Sequence, residues 1–159
     1  MKKIISIIFT LALLSCSSIR KDLEDKNKSN KPIVLTTFTV LADISRNIAG
    51  QRLHVQSITK EGAEIHGYQP TPSDLVKASK ANLILENGLG LELWAKKFTA
   101  SAGNVPTAVL TKGMQPLLIS GDVYKGKPNP HAWMSPKRAT VYVDNLVTAF
   151  TLLDPEGRD

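Results

Sequence analysis

Cysteine is almost absent from this chain. Cys16 is the only one among 159 residues, so no disulfide forms within the chain and oxidation does not hold the fold together. Histidine is scarce as well, with His54, His66 and His131 the three present. No H-E-x-x-H arrangement occurs, which removes the recognisable general base of a metal-dependent hydrolase. Gly88-Leu89-Gly90 lacks the third glycine of a dinucleotide loop and has no suitable acidic residue closing a second strand. It reads as close packing of a turn. The apolar run "IISIIFTLALL", residues 4–14, is eleven residues long, too short to cross a bilayer as a helix. The formal charge of +6 does not point to nucleic acid, because the basic residues are scattered along the chain.

Residues 1–15 read as a signal peptide. Lys2 and Lys3 precede the apolar run, as in a secretory signal peptide. The run ends in "LLSC", residues 13–16, which resembles the lipobox of bacterial lipoproteins. That resemblance implies cleavage after residue 15 and lipidation of Cys16, with Leu14 a less usual residue at its position. Loss of Lys2 and Lys3 leaves eighteen basic against fourteen acidic residues, a charge of +4. Residues 17–32, "SSIRKDLEDKNKSNKP", are polar, mixed in charge and free of aromatics. Such a segment buries too little apolar surface to fold alone and reads as a tether between anchor and domain.

From residue 33 to the C-terminus, strand and helix signals alternate. "IVLTTF" (33–38), "LHVQSI" (53–58), "NLILEN" (82–87) and "TAVLT" (107–111) read as four strands. A first helix is expected with Thr39 as cap, Leu41, Ile44 and Ile48 on one face and Gly50 at its end. In a second, Thr71 is the N-cap, Pro72 the first helical residue and Asp74 the third, close to a capping box. A third is expected over "LELWAKKFTASAG", with Leu91, Trp94 and Phe98 on one stripe. In the last, Ser135 caps and Pro136 begins the helix. Ala139, Tyr142, Val143, Leu146, Phe150 and Leu153 form its buried face, and Asp154-Pro155 ends it. At 42% hydrophobic and 21% charged residues, the chain has enough apolar content for one domain with a real core. The fold class is α/β: a four-stranded parallel sheet flanked by helices.

In such sheets ligands sit at the carboxyl ends of the strands. His66, in "EGAEIHGYQPTPSD", and His131, in "GKPNPHAWMSP", both lie in loops leading from a strand to a helix, on the same rim. Each reads singly as a ligand or as a loop residue; their shared rim favours the ligand reading. His54, between Leu53 and Val55 within a strand, reads as structural or surface. Neutral imidazole is the commonest metal ligand and suits first-row transition ions. Two imidazoles alone hold a metal weakly. Glu61, Glu64 and Asp122 lie in the right loops but carry no ligand motif, and Asp74 is better explained as a helix cap. Trp94 and Trp133 read as packing residues.

The stretches "IHGYQPTPSDLVKASKANLILENGLGLELW" and "NPHAWMSPKRATVYVDNL" resemble the metal-binding lipoproteins that feed manganese, zinc or iron to ABC importers. This is the zinc-uptake A / TroA-like family, with "KPNPHAWMSP" closer to its manganese/chelated-iron branch. The resemblance runs from about residue 33 to the C-terminus over many separated positions. It implies an extracytoplasmic, membrane-anchored monomer that captures a divalent transition metal and passes it to a membrane permease. It implies no bond-making step and no nucleic-acid partner. His66 and His131 fall on the two histidine ligands of the family's first lobe. Two further ligands come from a second lobe in that family. By its pattern this chain stops where the helix joining the lobes begins, so a fragment or truncated form is expected, with half a metal site.

Zinc carriers insert a histidine- and acid-rich loop before the second ligand, whereas "MQPLLISGDVYKGKPNP" has no histidine and one acid. Mn²⁺ or Fe²⁺ is therefore expected, with Zn²⁺ an alternative on the intrinsic affinity of imidazole. Asn129 stands where many members have Asp, which removes a charge beside the ligand. An adhesin or surface-interaction lipoprotein, a truncated product without function and, behind these, a metal-dependent hydrolase are the competing readings.

Overall fold

The computed structural model describes residues 31–158. The leader, Cys16 and nearly all of the tether expected from sequence lie outside the described residues. The folded unit begins at Pro32.

The four expected strands are present, each a little shorter than its apolar run. They are β1 (Ile33–Thr36), β2 (His54–Ser57), β3 (Leu83–Glu86) and β4 (Thr107–Val109). All pairs are parallel and the order across the sheet is β2-β1-β3-β4. Val34 lies opposite Val55 on one side and Leu83 on the other, and Leu85 lies opposite Ala108. Central strands covered on both faces read as nearly continuous apolar runs, which is why "IVL" and "LIL" show no polar alternation.

Side chains leave a strand alternately to its two faces, and the core divides accordingly. Val34, Leu53, Val55, Leu83 and Leu85 pack with α1 (Thr39–Ala49) and α4 (Pro136–Leu153), where Leu41, Tyr142 and Leu146 are buried. Leu35, Ile58 and Ile84 pack on the opposite face with Ala78 of α2 (Pro72–Ser79) and Phe98 of α3 (Ala95–Ser101). His54 points away from the face of Leu53 and Val55. It is half-buried and meets the Gln56 side chain at 2.6 Å on an edge strand, a structural setting.

The α2 cap forms as the sequence indicates. The Thr71 hydroxyl accepts from the Asp74 backbone N–H, and the Asp74 carboxylate accepts from the Thr71 backbone N–H at 2.8 Å. Tyr68 donates its hydroxyl to the same carboxylate at 2.9 Å. Burial pushes the Asp74 carboxyl up. The bonds from Thr71 and Tyr68 and the charge of Lys77 outweigh that and leave its pKa below the ordinary value.

Four details differ from the sequence expectation. Phe38, not Thr39, occupies the N-cap of α1, and no side chain caps it. Ser135 holds the N-cap position of α4 without a side-chain cap bond. Val143 is exposed rather than buried, because the turn of α4 at Tyr142 and Leu146 already fills the sheet-facing stripe. The third helix begins only at Ala95. Gly88, Leu89 and Gly90 all have positive φ, which a right-handed helix excludes. The buried Glu92 carboxylate then takes the Asn87 and Gly88 N–H groups and holds residues 87–94 as a turn. Leu91 consequently packs on the α1/α4 face while Phe98 packs on the other. Gly88 is required there for space as well as conformation: a Cβ would lie 2.5 Å from Val109 Cγ1 and 2.7 Å from Thr111 Oγ1.

Candidate metal centre

The chain runs from β1 outward to β2, then crosses back to β3 on the other side of β1. The strand order therefore reverses between β1 and β3, which is where ligands of open parallel sheets bind, beyond the carboxyl ends of the strands. The loop after β2 carries His66 and the loop after β4 carries His131. These two strands are the opposite edges of the sheet. The loops fold inward, so residues that start at the two edges meet above its middle.

They meet closely. His66 Nε2 lies 3.3 Å from His131 Nε2, and the ring centroids are 5.3 Å apart at an interplanar angle of 65°. Two imidazole nitrogens bound at 2.0–2.1 Å to one tetrahedral ion stand about 3.3–3.4 Å apart. The observed 3.3 Å matches that separation.

His131 is held by its own loop. The Asn129 Oδ1 accepts both the His131 backbone N–H and Nδ1–H, each at 3.0 Å. Because the backbone N–H can only donate, the facing Asn129 atom is the oxygen, and the ring proton is assigned to Nδ1. Nε2 of His131 is then a free lone pair, and in the metal-free pair it accepts Nε2–H from His66. The neutral Asn129 thus performs the orienting task for which a carboxylate often serves. The ring of Trp133 packs on His131 at 5.3 Å and on the buried Phe38 at 5.0 Å. Burial, and after it the neighbouring His66, push the His131 pKa below its ordinary value, so its neutral form is favoured.

The carboxylates of these loops have other tasks. Glu64 accepts the His66 backbone N–H at 2.8 Å, bracing the turn that presents the ring. Asp122 lies at a hairpin tip with φ of 64°, where its carbonyl accepts the Lys125 N–H. The sequence pattern shows that hairpin, joined through Leu118 and Pro128, only as a long loop. Its strands are too short and its ends too irregular for alternation. Among the described residues no group of three or more His, Cys, Asp or Glu converges on one point. The pair opens into a cleft of about 800 Å³, lined by Leu89, Ile119, Tyr124 and Lys127 among others. Among the described residues Lys127 is the one permanently charged side chain of that lining. An ion held by the two rings would keep open positions for ligands from outside this cleft.

A family model described as zinc-uptake complex component A, periplasmic (ZnuA), matches residues 34–159. The chain belongs to this family. It is 49% identical over 151 residues to the iron-binding protein YfeA of Yersinia pestis, covering 93% of this chain and 49% of that one. It is 34% identical over 171 residues to the manganese ABC transporter substrate-binding lipoprotein PsaA of Streptococcus pneumoniae, covering 100% of this chain and 54% of the relative. Among solved structures it is similar to the Mn-bound periplasmic metal binding protein of Candidatus Liberibacter asiaticus. The TM-score is 0.73 at 37% identity, over 80% of this chain and 48% of the other. The chain spans about half the length of the relatives it matches. These relatives are named as binding proteins or transporter components, not as enzymes.

Proposed function

We propose that this chain is the histidine-bearing lobe, residues 33–159, of an extracytoplasmic carrier for a divalent transition metal serving an ABC importer. The observation that supports it most directly is the 3.3 Å approach of His66 Nε2 and His131 Nε2 over the point where the strand order reverses. The metal is cargo. The rings capture it in their neutral forms, and remaining positions are completed by water or by ligands from outside the lobe, which in a two-lobed carrier the second lobe supplies. The cleft lining among the described residues is apolar apart from the two rings, Tyr124 and Lys127. That composition suits capture, whereas hydrolysis calls for a general base beside the pair.

Mn²⁺ or Fe²⁺ is the favoured cargo, because relatives named for manganese and iron are among its matches and residues 114–130 contain no histidine. Zn²⁺ binds two imidazoles more tightly on intrinsic grounds, so selectivity must come from the ligands that complete the site. Lipidation at Cys16 would anchor the carrier to the membrane that holds its permease, the lobe acting as a monomer. No helix among the described residues is long and apolar enough to cross a membrane. The test is titration of the 159-residue chain with Mn²⁺, Fe²⁺ and Zn²⁺, before and after His66→Ala and His131→Ala. Each substitution is expected to weaken binding at least tenfold. Unchanged affinity in both variants overturns the proposal.

A further inference from the structure

His66 and His131 stand on loops from opposite edges of the sheet, yet each loop is pinned beside its histidine by the same turn. Trp94 Nε1–H donates to the carbonyl of Ile65, the residue before His66, at 2.8 Å. Asn87 Nδ2–H donates to the carbonyl of Pro130, the residue before His131, at 3.0 Å. Both donors belong to residues 87–94, between β3 and α3. Each pin holds the residue next to the ring it governs, so little backbone freedom remains between them.

The turn is itself rigid. The Glu92 carboxylate accepts N–H from Asn87 at 2.6 Å and from Gly88 at 3.2 Å, and the Thr37 hydroxyl at 2.8 Å, which ties the turn to the end of β1. Asn87 is fully buried. Its Oδ1 accepts the Tyr142 hydroxyl from α4, its amide also reaches the Gly88 carbonyl, and its own carbonyl accepts the Thr111 hydroxyl. The Trp94 ring is packed between Tyr68 at 5.2 Å and Phe98 at 5.7 Å. Neither donor can move without disturbing the core.

We infer that Asn87 and Trp94 are positioning residues that set the separation of the His66 and His131 rings, with the β3–α3 turn as their common reference. The inference rests on the reading that this pair takes the metal. A site's ligands must be held within about 0.5 Å of the productive geometry, and loops on two edge strands do not achieve that unless they are indexed to one rigid element.

The experiment uses the full 159-residue chain and two changes, each read alongside cooperative unfolding. Trp94→Phe keeps an aromatic ring and removes the N–H. Asn87→Ala with Tyr142→Phe removes the amide together with its buried partner, leaving no orphaned hydroxyl; Tyr142→Phe alone is its reference. Two quantities are measured: Zn²⁺ and Mn²⁺ affinity by competition with a chelator, and the proton–proton NOE between the two imidazole rings in the metal-free chain. Each pinning change is expected to weaken metal binding about tenfold or more and to abolish the inter-ring NOE while unfolding stays cooperative. Wild-type affinity and a retained NOE in folded Trp94→Phe overturn the inference, and so does the same result in the double variant relative to its reference. His66→Ala runs alongside. If it leaves affinity unchanged, the metal reading fails, and the NOE still decides whether the turn positions the rings.

Discussion

Replacing Asn129 probes the site through a residue that touches no metal. Its Oδ1 accepts the Nδ1–H of His131 and so keeps the Nε2 lone pair directed at His66. Asn129→Ala deletes that bond and the one to the His131 backbone N–H, both 3.0 Å long. A neutral hydrogen bond contributes a net 0.5–1.5 kcal/mol or so. The ring bond also strengthens when Nε2 binds a cation, because the ring is then polarised. A loss of about 1.4 kcal/mol in metal binding is therefore expected, which is roughly tenfold in affinity. Asn129→Asp acts in the opposite direction: a carboxylate accepting Nδ1–H raises the basicity of Nε2, and charge-assisted bonds are roughly twice as strong as neutral ones. Chelator competition with Zn²⁺ at about pH 7.5, where imidazole is neutral, on chains whose thermal unfolding is checked first, should give the affinity order Asp, then Asn, then Ala. Equal affinities within about twofold, or Ala binding as tightly as Asp, would refute the role assigned to Asn129.

Metal affinity should fall as pH drops through the histidine range, since protonated imidazole does not ligate; a flat profile from pH 8 to pH 5 contradicts it. The metal-free fold should respond too. The folded His131 pKa lies below its ordinary value, so between the two values the unfolded chain binds more protons. Stability is then complete above about pH 6.5 and is lost as pH falls toward the folded pKa; His131→Gln should flatten that part of a melting-temperature profile. Asp74→Ala removes half of the α2 capping box and should cost about 1 kcal/mol, a few degrees in melting temperature, and no change would reject the cap. Gly88→Ala drives a Cβ into Val109 and Thr111 at positive φ. It should destabilise by roughly 1–3 kcal/mol, read by chemical denaturation.

Much of the fold is legible in the sequence because its signals are local. The runs at β1 and β3 are apolar and β-branched or leucine-rich, and Thr71-Pro72 with Asp74 spells a cap. The start of the third helix is not legible, because "LELW" has helical apolar spacing. The deciding interaction is the Glu92 carboxylate capturing N–H groups four and five residues earlier. Apolarity alone assigns Val143 to the core, yet the helix is wide enough to leave it exposed. For the site, the stiff frame "NPHAW" and the strand-to-helix loops mark both histidines. The sequence does not show that loops from opposite sheet edges bring two nitrogens to 3.3 Å, since that depends on the strand order. The bracing role of Glu64 escapes a sequence reading for a related reason: a side chain accepting N–H two residues on leaves no periodic trace.

The most direct test is X-ray absorption at the zinc edge on the chain loaded with one equivalent of Zn²⁺. Two imidazole scatterers with nitrogens at about 2.0–2.1 Å are expected, falling to one in His66→Ala and to one in His131→Ala. A spectrum without imidazole, or one in which the count ignores either substitution, would contradict a shared ion between the two rings.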